Sequence, residues 1–181
     1  MDDELTRLLR ALPLLRAHTG FELAIIGGVG RSAWAGARTT FDVDVLVGTS
    51  DLSRVNDAAP SIGLVAFPQE VAALAAAEMT RLRLPDHPTG EVRLDVIAAI
   101  HPYHQRVLAR ARPAPVFGVV VPIASAEDIV VLKTLADRPQ DRADVAAILS
   151  AQRGVLDVDL VRKECAALEI EPPAGLDSRG P

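Results

Sequence analysis

Two aspartates one residue apart lie inside an otherwise apolar run, Phe41-Asp42-Val43-Asp44-Val45-Leu46-Val47, shortly after the glycine-rich stretch Ile25-Ile26-Gly27-Gly28-Val29-Gly30. Apolar β-branched residues on both sides favour a strand. Side chains alternate faces along a strand, so Asp42 and Asp44 point one way and Phe41, Val43, Val45 and Val47 the other. Two neighbouring carboxylates repel and resist burial, and such a pair persists when a cation or a basic group compensates it. With hard oxygen donors and no nearby cysteine, magnesium or manganese is the fitting cation. The competing reading is a solvated polar strand end, because Asp-x-Asp is a weak motif taken alone.

The chain has 181 residues, 49% of them hydrophobic, enough to bury one core. A net charge of −5 argues against broad electrostatic wrapping of nucleic acid, though a local basic groove stays compatible with it. Aromatic residues are too few for obvious base-stacking platforms. Charge interrupts every apolar stretch before membrane-span length, and Met1-Asp2-Asp3-Glu4 lacks signal-peptide character, so a cytoplasmic protein without membrane partners is expected. Cys165 has no disulfide partner and reads as a packing residue.

The leucines Leu5, Leu8, Leu9, Leu12 and Leu15 have helical spacing, with Pro13 expected to kink the helix or start a second one. A strand follows over 22–26, the glycines form a turn, and a helix runs from Val29 to Ala35. After the Asp42–Val47 strand come a short helix from Ser50, a strand over 62–67 and an alanine-rich helix over 69–78. Two extended segments around the turn Asp86-His87-Pro88-Thr89-Gly90 pair as a hairpin, the second carrying Asp95. Then follow a helix over 102–109, an extended segment over 115–121, and a helix capped by Ser125 with Asp128 at the capping-box position. Arg138-Pro139 breaks that helix, and two more cover 140–149 and 158–168. The fold class is mixed α/β, or α+β: a small mixed sheet flanked by helices. Residues 1–122 form a core with its N-terminal helix, 123–170 are C-terminal helices packed on it, and 171–181 are expected to be disordered.

The glycine loop admits two ligand readings. Gly28-x-Gly30-x-x-Ala33 after a strand, with Asp51 further on, fits the dinucleotide-binding fingerprint of a Rossmann-type NAD(P) protein. Against it, the next strand would place Asp42 and Asp44 in a parallel sheet covered on both faces. In the other reading, the helix N-terminus and the Gly27-Gly28 amides grip a phosphate beside the Asp pair. A turn with no ligand is the bland alternative.

Gly27-Gly28, a spacer, and then Asp42-x-Asp44 in an apolar strand resemble the signature of the nucleotidyltransferase superfamily, the polymerase beta-like fold. Arg38-x-Thr40-x-Asp42-x-Asp44 is similar to the version found in the AbiEii-type abortive-infection toxins and their relatives, and the resemblance extends from Phe21 to Leu149. It implies a third carboxylate on a neighbouring strand, which Val92-Arg93-Leu94-Asp95-Val96-Ile97 supplies. It further implies that Asp42, Asp44 and Asp95 bind Mg2+ or Mn2+ and that Asp95 accepts the proton of an attacking hydroxyl. Gly27, Gly28, Arg38, Thr40, Lys133 and Asp141 then belong to the nucleotide site, with Lys133 also catalytic through neutralising phosphate charge.

Lys133 and Asp141 have an equally good bland reading as helix-surface charges; Arg138, Arg31 and Ser32 are weaker phosphate candidates. His101 and His104 read as a helix start rather than a zinc site. The resemblance thus implies an Mg-dependent enzyme transferring a nucleoside monophosphate from an NTP, ATP among them, to an acceptor hydroxyl on tRNA, a protein or a small molecule. A toxin of this branch would also have an antitoxin partner. The alternatives are the NAD(P)-binding protein and a catalytically silent module of the same fold.

Overall fold

A computed structural model of the chain describes residues 4–66, 78–86 and 92–177. In chain order the elements are α1 (Glu4–Thr19), β1 (Leu23–Ile25), α2 (Gly27–Ala35), β2 (Asp42–Val47), α3 (Leu52–Ala58) and β3 (Val65–Ala66). They continue with β4 (Met79–Arg83), β5 (Arg93–Ala98), α4 (Pro102–Arg110), β6 (Arg112–Val116) and β7 (Val119–Ile123). The helices α5 (Ala126–Ala136), α6 (Pro139–Ala151) and α7 (Val158–Ala167) close the chain.

The strands form one seven-stranded mixed sheet in the order β3-β4-β5-β2-β1-β7-β6. β2 runs parallel to β5 and β1 parallel to β7, while the other neighbours are antiparallel. The antiparallel pairing of β1 with β2 removes the dinucleotide-binding alternative, which needs parallel strands joined by a crossover helix.

Strand alternation divides the core in two. Val43, Val45 and Val47 join Leu23, Ile25, Leu94 and Val96 beneath α1, whose Leu8, Leu9, Leu12 and Leu15 are buried against them. Each such leucine contributes roughly 1.5–3 kcal/mol of burial. This apolar stripe carries α1 straight past Pro13, so no second helix begins there. Phe41 departs from the pattern: it precedes the strand and is exposed. On the other face Ala24 and Leu46 lie under α4, α5, α6 and α7, with Tyr103, Ile129, Ile148, Val161 and Cys165 buried among them.

The segment expected as one extended run over 115–121 is instead the β6–β7 hairpin. It reverses at Phe117-Gly118, both at positive φ (46° and 74°), the geometry that matches strand twist in a tight hairpin. β6, at the sheet edge, carries Pro113 and Pro115. The segment 171–177, expected to be disordered, lies against the helices: Leu176 is buried in the second core and Asp177 pairs with Arg162. Two apolar residues, Ile170 and Leu176, flanking Pro172-Pro173 outweigh the polar composition that suggested disorder. The alanine-rich helix over 69–78 and the turn over 86–90 fall largely outside the described residues, as does 178–181. Among the described residues, no helix is long and apolar enough to cross a membrane.

Candidate active site

The glycines are not a loop before a helix; they are its first turn. α2 begins at Gly27, its N-cap residue Ile26 offers no side-chain cap, and no acid sits in the first turn. The unshared amides of that turn and the positive end of the helix dipole make an anion-attracting end. Gly27 has φ +60°, and a Cβ there would lie 1.9 Å from Asp44 Oδ2. A Cβ on Gly28 would meet Thr40 Oγ1 at 2.7 Å. The absence of side chains lets the helix end sit directly on the aspartate strand. Ile26 N–H donates to the Asp44 carbonyl at 2.9 Å, and the Thr40 hydroxyl donates to the Asp42 carbonyl at 3.3 Å, fixing helix and strand together. Gly30 has another cause: a Cβ would meet Ile129 Cδ1 of α5 at 2.7 Å, so it serves helix packing.

Parallel pairing sets Asp44 directly beside Asp95, and antiparallel pairing sets Asp95 beside Arg81. The three form a row across β2, β5 and β4 on one face. The Asp44 carboxylate makes no hydrogen bond or ion pair among the described residues. Burial first, then the charges of Asp95 and Asp42, push its carboxyl up to about 6, against the opposing pull of Lys133 and Arg138. The other two acids are held by arginines. Arg81 grips both oxygens of Asp95, Nε to Oδ1 at 2.7 Å and Nη2 to Oδ2 at 2.9 Å. Arg93 instead directs both its contacts, at 2.9 and 2.8 Å, to the single oxygen Oδ1 of Asp42.

The donor set suits a hard cation at Asp42 and Asp44: carboxylate oxygens on one face, repelling each other as a divalent ion would relieve. Among the described residues, however, no group of three or more His, Cys, Asp or Glu is placed to hold a metal ion.

Lys133 and Asp141, expected at the nucleotide, are drawn together in a buried cluster. Lys133 Nζ lies 2.8 Å from both Asp141 Oδ1 and Asp144 Oδ2, and its side chain is 7% exposed. Asp144 also takes a two-pronged grip from Arg38, both contacts at 3.0 Å, and lies 3.2 Å from Arg31 Nε. Burial pushes the Asp141 and Asp144 carboxyls up, but hydrogen bonds from their cationic partners more than offset it and hold both below the usual range. Arg138 bonds Asp141 at 2.5 Å while its side chain stays 73% exposed, an open positive charge within the field of Asp44. The cluster joins α5 and α6 to the segment after α2, so four cations share two aspartates and leave a positive excess beside Asp44.

Lys133→Met is expected to destabilise the fold by about 3–5 kcal/mol, since it strips a buried partner from two buried carboxylates. Urea unfolding near neutral pH would measure it; a loss below about 1 kcal/mol would refute the closed cluster.

Sequence reasoning missed Asp144, the anchor for Arg38, and Arg81, the partner of Asp95. The alternation Thr80-Arg81-Leu82-Arg83 was the available signal, as it points both arginines to the face of Asp95. His101 stands at a helix start as expected: its Nδ1 accepts the Tyr103 amide at 3.1 Å and caps α4.

No protein-family model matches the chain, and no curated protein matches it in sequence. Solved structures do match in fold. An antigenic nucleotidyltransferase-like protein from Paracoccidioides brasiliensis superposes with a TM-score of 0.62 at 18% identity, over 92% of this chain and 88% of that one. ANT(2'')-Ia in complex with adenylyl-2''-tobramycin gives 0.60 at 15% identity, over 90% and 97%. The chain has the nucleotidyltransferase fold. The lincosamide antibiotic adenylyltransferase LnuA, with lincomycin bound, matches with a TM-score of 0.51 at 15% identity, over 80% and 96%. The first two of these matches cover nine-tenths or more of this chain.

Proposed function

We propose that the protein is a nucleotidyltransferase that moves a nucleoside monophosphate from an NTP to an acceptor hydroxyl. The observation carrying this reading is the uncapped N-terminus of α2 seated, through Gly27, directly on Asp44. A phosphate-attracting helix end and an unpaired carboxylate thus lie side by side. Asp42 and Asp44 are the residues that would hold Mg2+ or Mn2+, which when bound supplies positive charge to the reacting phosphates.

The chain's own groups divide the remaining work. The α2 amides and Arg138 bind and orient the triphosphate, and Arg38 and Thr40 hold the segment beside it. Asp95 accepts the acceptor's hydroxyl proton as that oxygen bonds to the α-phosphorus, and the bond from the α-phosphorus to pyrophosphate breaks. Arg81 occupies one lone pair on each Asp95 oxygen and leaves the others for the proton.

Two acceptor classes have support. ANT(2'')-Ia and LnuA are seen with small hydroxylated antibiotics, which favours a small molecule. Arg38-x-Thr40-x-Asp42-x-Asp44 favours the AbiEii-type reading, a tRNA-modifying toxin held by an antitoxin. Incubating the protein with each α-labelled NTP, Mg2+ and separate fractions of total RNA, protein and small metabolites should place label in one fraction. Label in none of them, with no pyrophosphate released, would overturn the enzyme reading in favour of a silent module.

A further inference from the structure

Asp42 and Asp95 differ in how their arginines hold them. The Asp42 side chain is 41% exposed, and Arg93 draws on Oδ1, leaving Oδ2 outside that contact. The Asp95 side chain is 11% exposed, and the Arg81 fork takes both oxygens in the fixed two-pronged geometry of a guanidinium on a carboxylate. Strand register dictates this second pair, because Arg81 and Asp95 are direct cross-strand neighbours on the face that also carries Asp44. A cation that would bridge Asp44 and Asp95 meets a carboxylate already neutralised by the third member of the row. Arg81 cannot release its charge by deprotonation.

We propose that Arg81 is a built-in cation standing where a second divalent ion would act, so that the site takes one metal ion, at Asp42 and Asp44, and Asp95 is not a metal ligand. This rests on the nucleotidyltransferase reading and assigns its metal stoichiometry. Arg81 is a positioning residue: it holds Asp95 oriented for the acceptor hydroxyl and keeps metal off it.

Mn2+ alone is the probe, titrated into the full-length protein and followed by the electron paramagnetic resonance signal of the free ion. The wild type should bind one Mn2+ per chain, and Asp95→Asn should leave that number and its affinity within about 2-fold. Arg81→Gln should bind a second Mn2+, which Arg81→Gln/Asp95→Asn should lose again. Arg81→Lys, which keeps the charge, should stay at one. Asp95→Asn tests the proposal independently should Arg81→Gln fail to fold. Two ions on the wild type, loss of the single ion in Asp95→Asn, or one ion on a folded Arg81→Gln would overturn this inference and leave the nucleotidyltransferase reading standing. No Mn2+ on any variant, with no label transfer from NTP, would overturn both.

Discussion

Asp44→Asn is expected to abolish nucleotidyl transfer, by at least roughly 10²-fold, and at the same time to raise the stability of the protein near neutral pH. The two effects share a cause. Asp44 is partly buried beside Asp95 and Asp42, and its carboxyl is raised from 3.8 to about 6. A shift of about two units corresponds to roughly 3 kcal/mol by which the ionised form is disfavoured in the folded state. The sign follows from proton counts. Between about pH 4 and pH 6 the folded protein holds a proton that the unfolded chain has released, so wild-type stability falls as pH rises through that window. Above about 6 the full penalty is present. Asparagine, neutral at every pH, escapes it.

The variant should therefore match the wild type below about pH 4 and exceed it by roughly 3 kcal/mol above about pH 6. At about 2–4 °C per kcal/mol for a chain of this size, the gain is visible in melting curves. Mg2+ should narrow the gap by stabilising the wild type alone. Identical melting curves at neutral pH would mean that Asp44 carries no such strain.

Gly27→Ala should be the most damaging single methyl in the protein. The residue sits at φ +60°, where a Cβ is disfavoured by about 1–2 kcal/mol, and the added carbon would lie 1.9 Å from Asp44 Oδ2 and 2.8 Å from its Cγ. Relieving that overlap moves Asp44 or tilts α2, at a further cost of about 1–3 kcal/mol. Urea unfolding should show a combined loss of roughly 2–5 kcal/mol, with transfer activity lost as the helix end leaves the strand. Gly63→Ala is the control: its φ of +76° and ψ of 26° lie in the left-handed helical region and no atom lies within 4 Å of the added carbon, so it should show the backbone part alone. Placing Gly27→Ala on an Asp44→Ala background should recover much of the steric part. Equal losses for the two glycines would rule out the close approach to Asp44.

The strand carrying Asp42 and Asp44, the partner strand carrying Asp95 and the Ser125 cap were all legible, because each is a local pattern: alternation, β-branching, or a capping residue at fixed offset. The antiparallel pairing of β4 with β5 was legible from two extended segments on either side of a turn-rich sequence. What escaped were pairings made across the fold. Asp144 meets Arg38 from 106 positions away, and no periodicity announces such a contact. Lys133 and Asp141 were read as facing a ligand or solvent, because their spacing says they share a helix region and says nothing of the carboxylate of Asp144 completing a closed set. The turn at Phe117-Gly118 was missed because its β-branched flanks read as a single strand, while the reversal depends on two positive φ angles, one at a phenylalanine.

The prolines of β6 bear on how the molecule meets its own kind. An outer strand normally presents amide hydrogens to the surroundings and so invites a further strand, from another chain or from a partly unfolded copy. Pro113 and Pro115 have no amide hydrogen, and β6 still pairs with β7 along its length, so the missing donors belong to its outward side. At the opposite border the described part of β3 is two residues long. The β6 border of the sheet thus resists extension, and replacing the two prolines by β-branched residues would open a route to self-association.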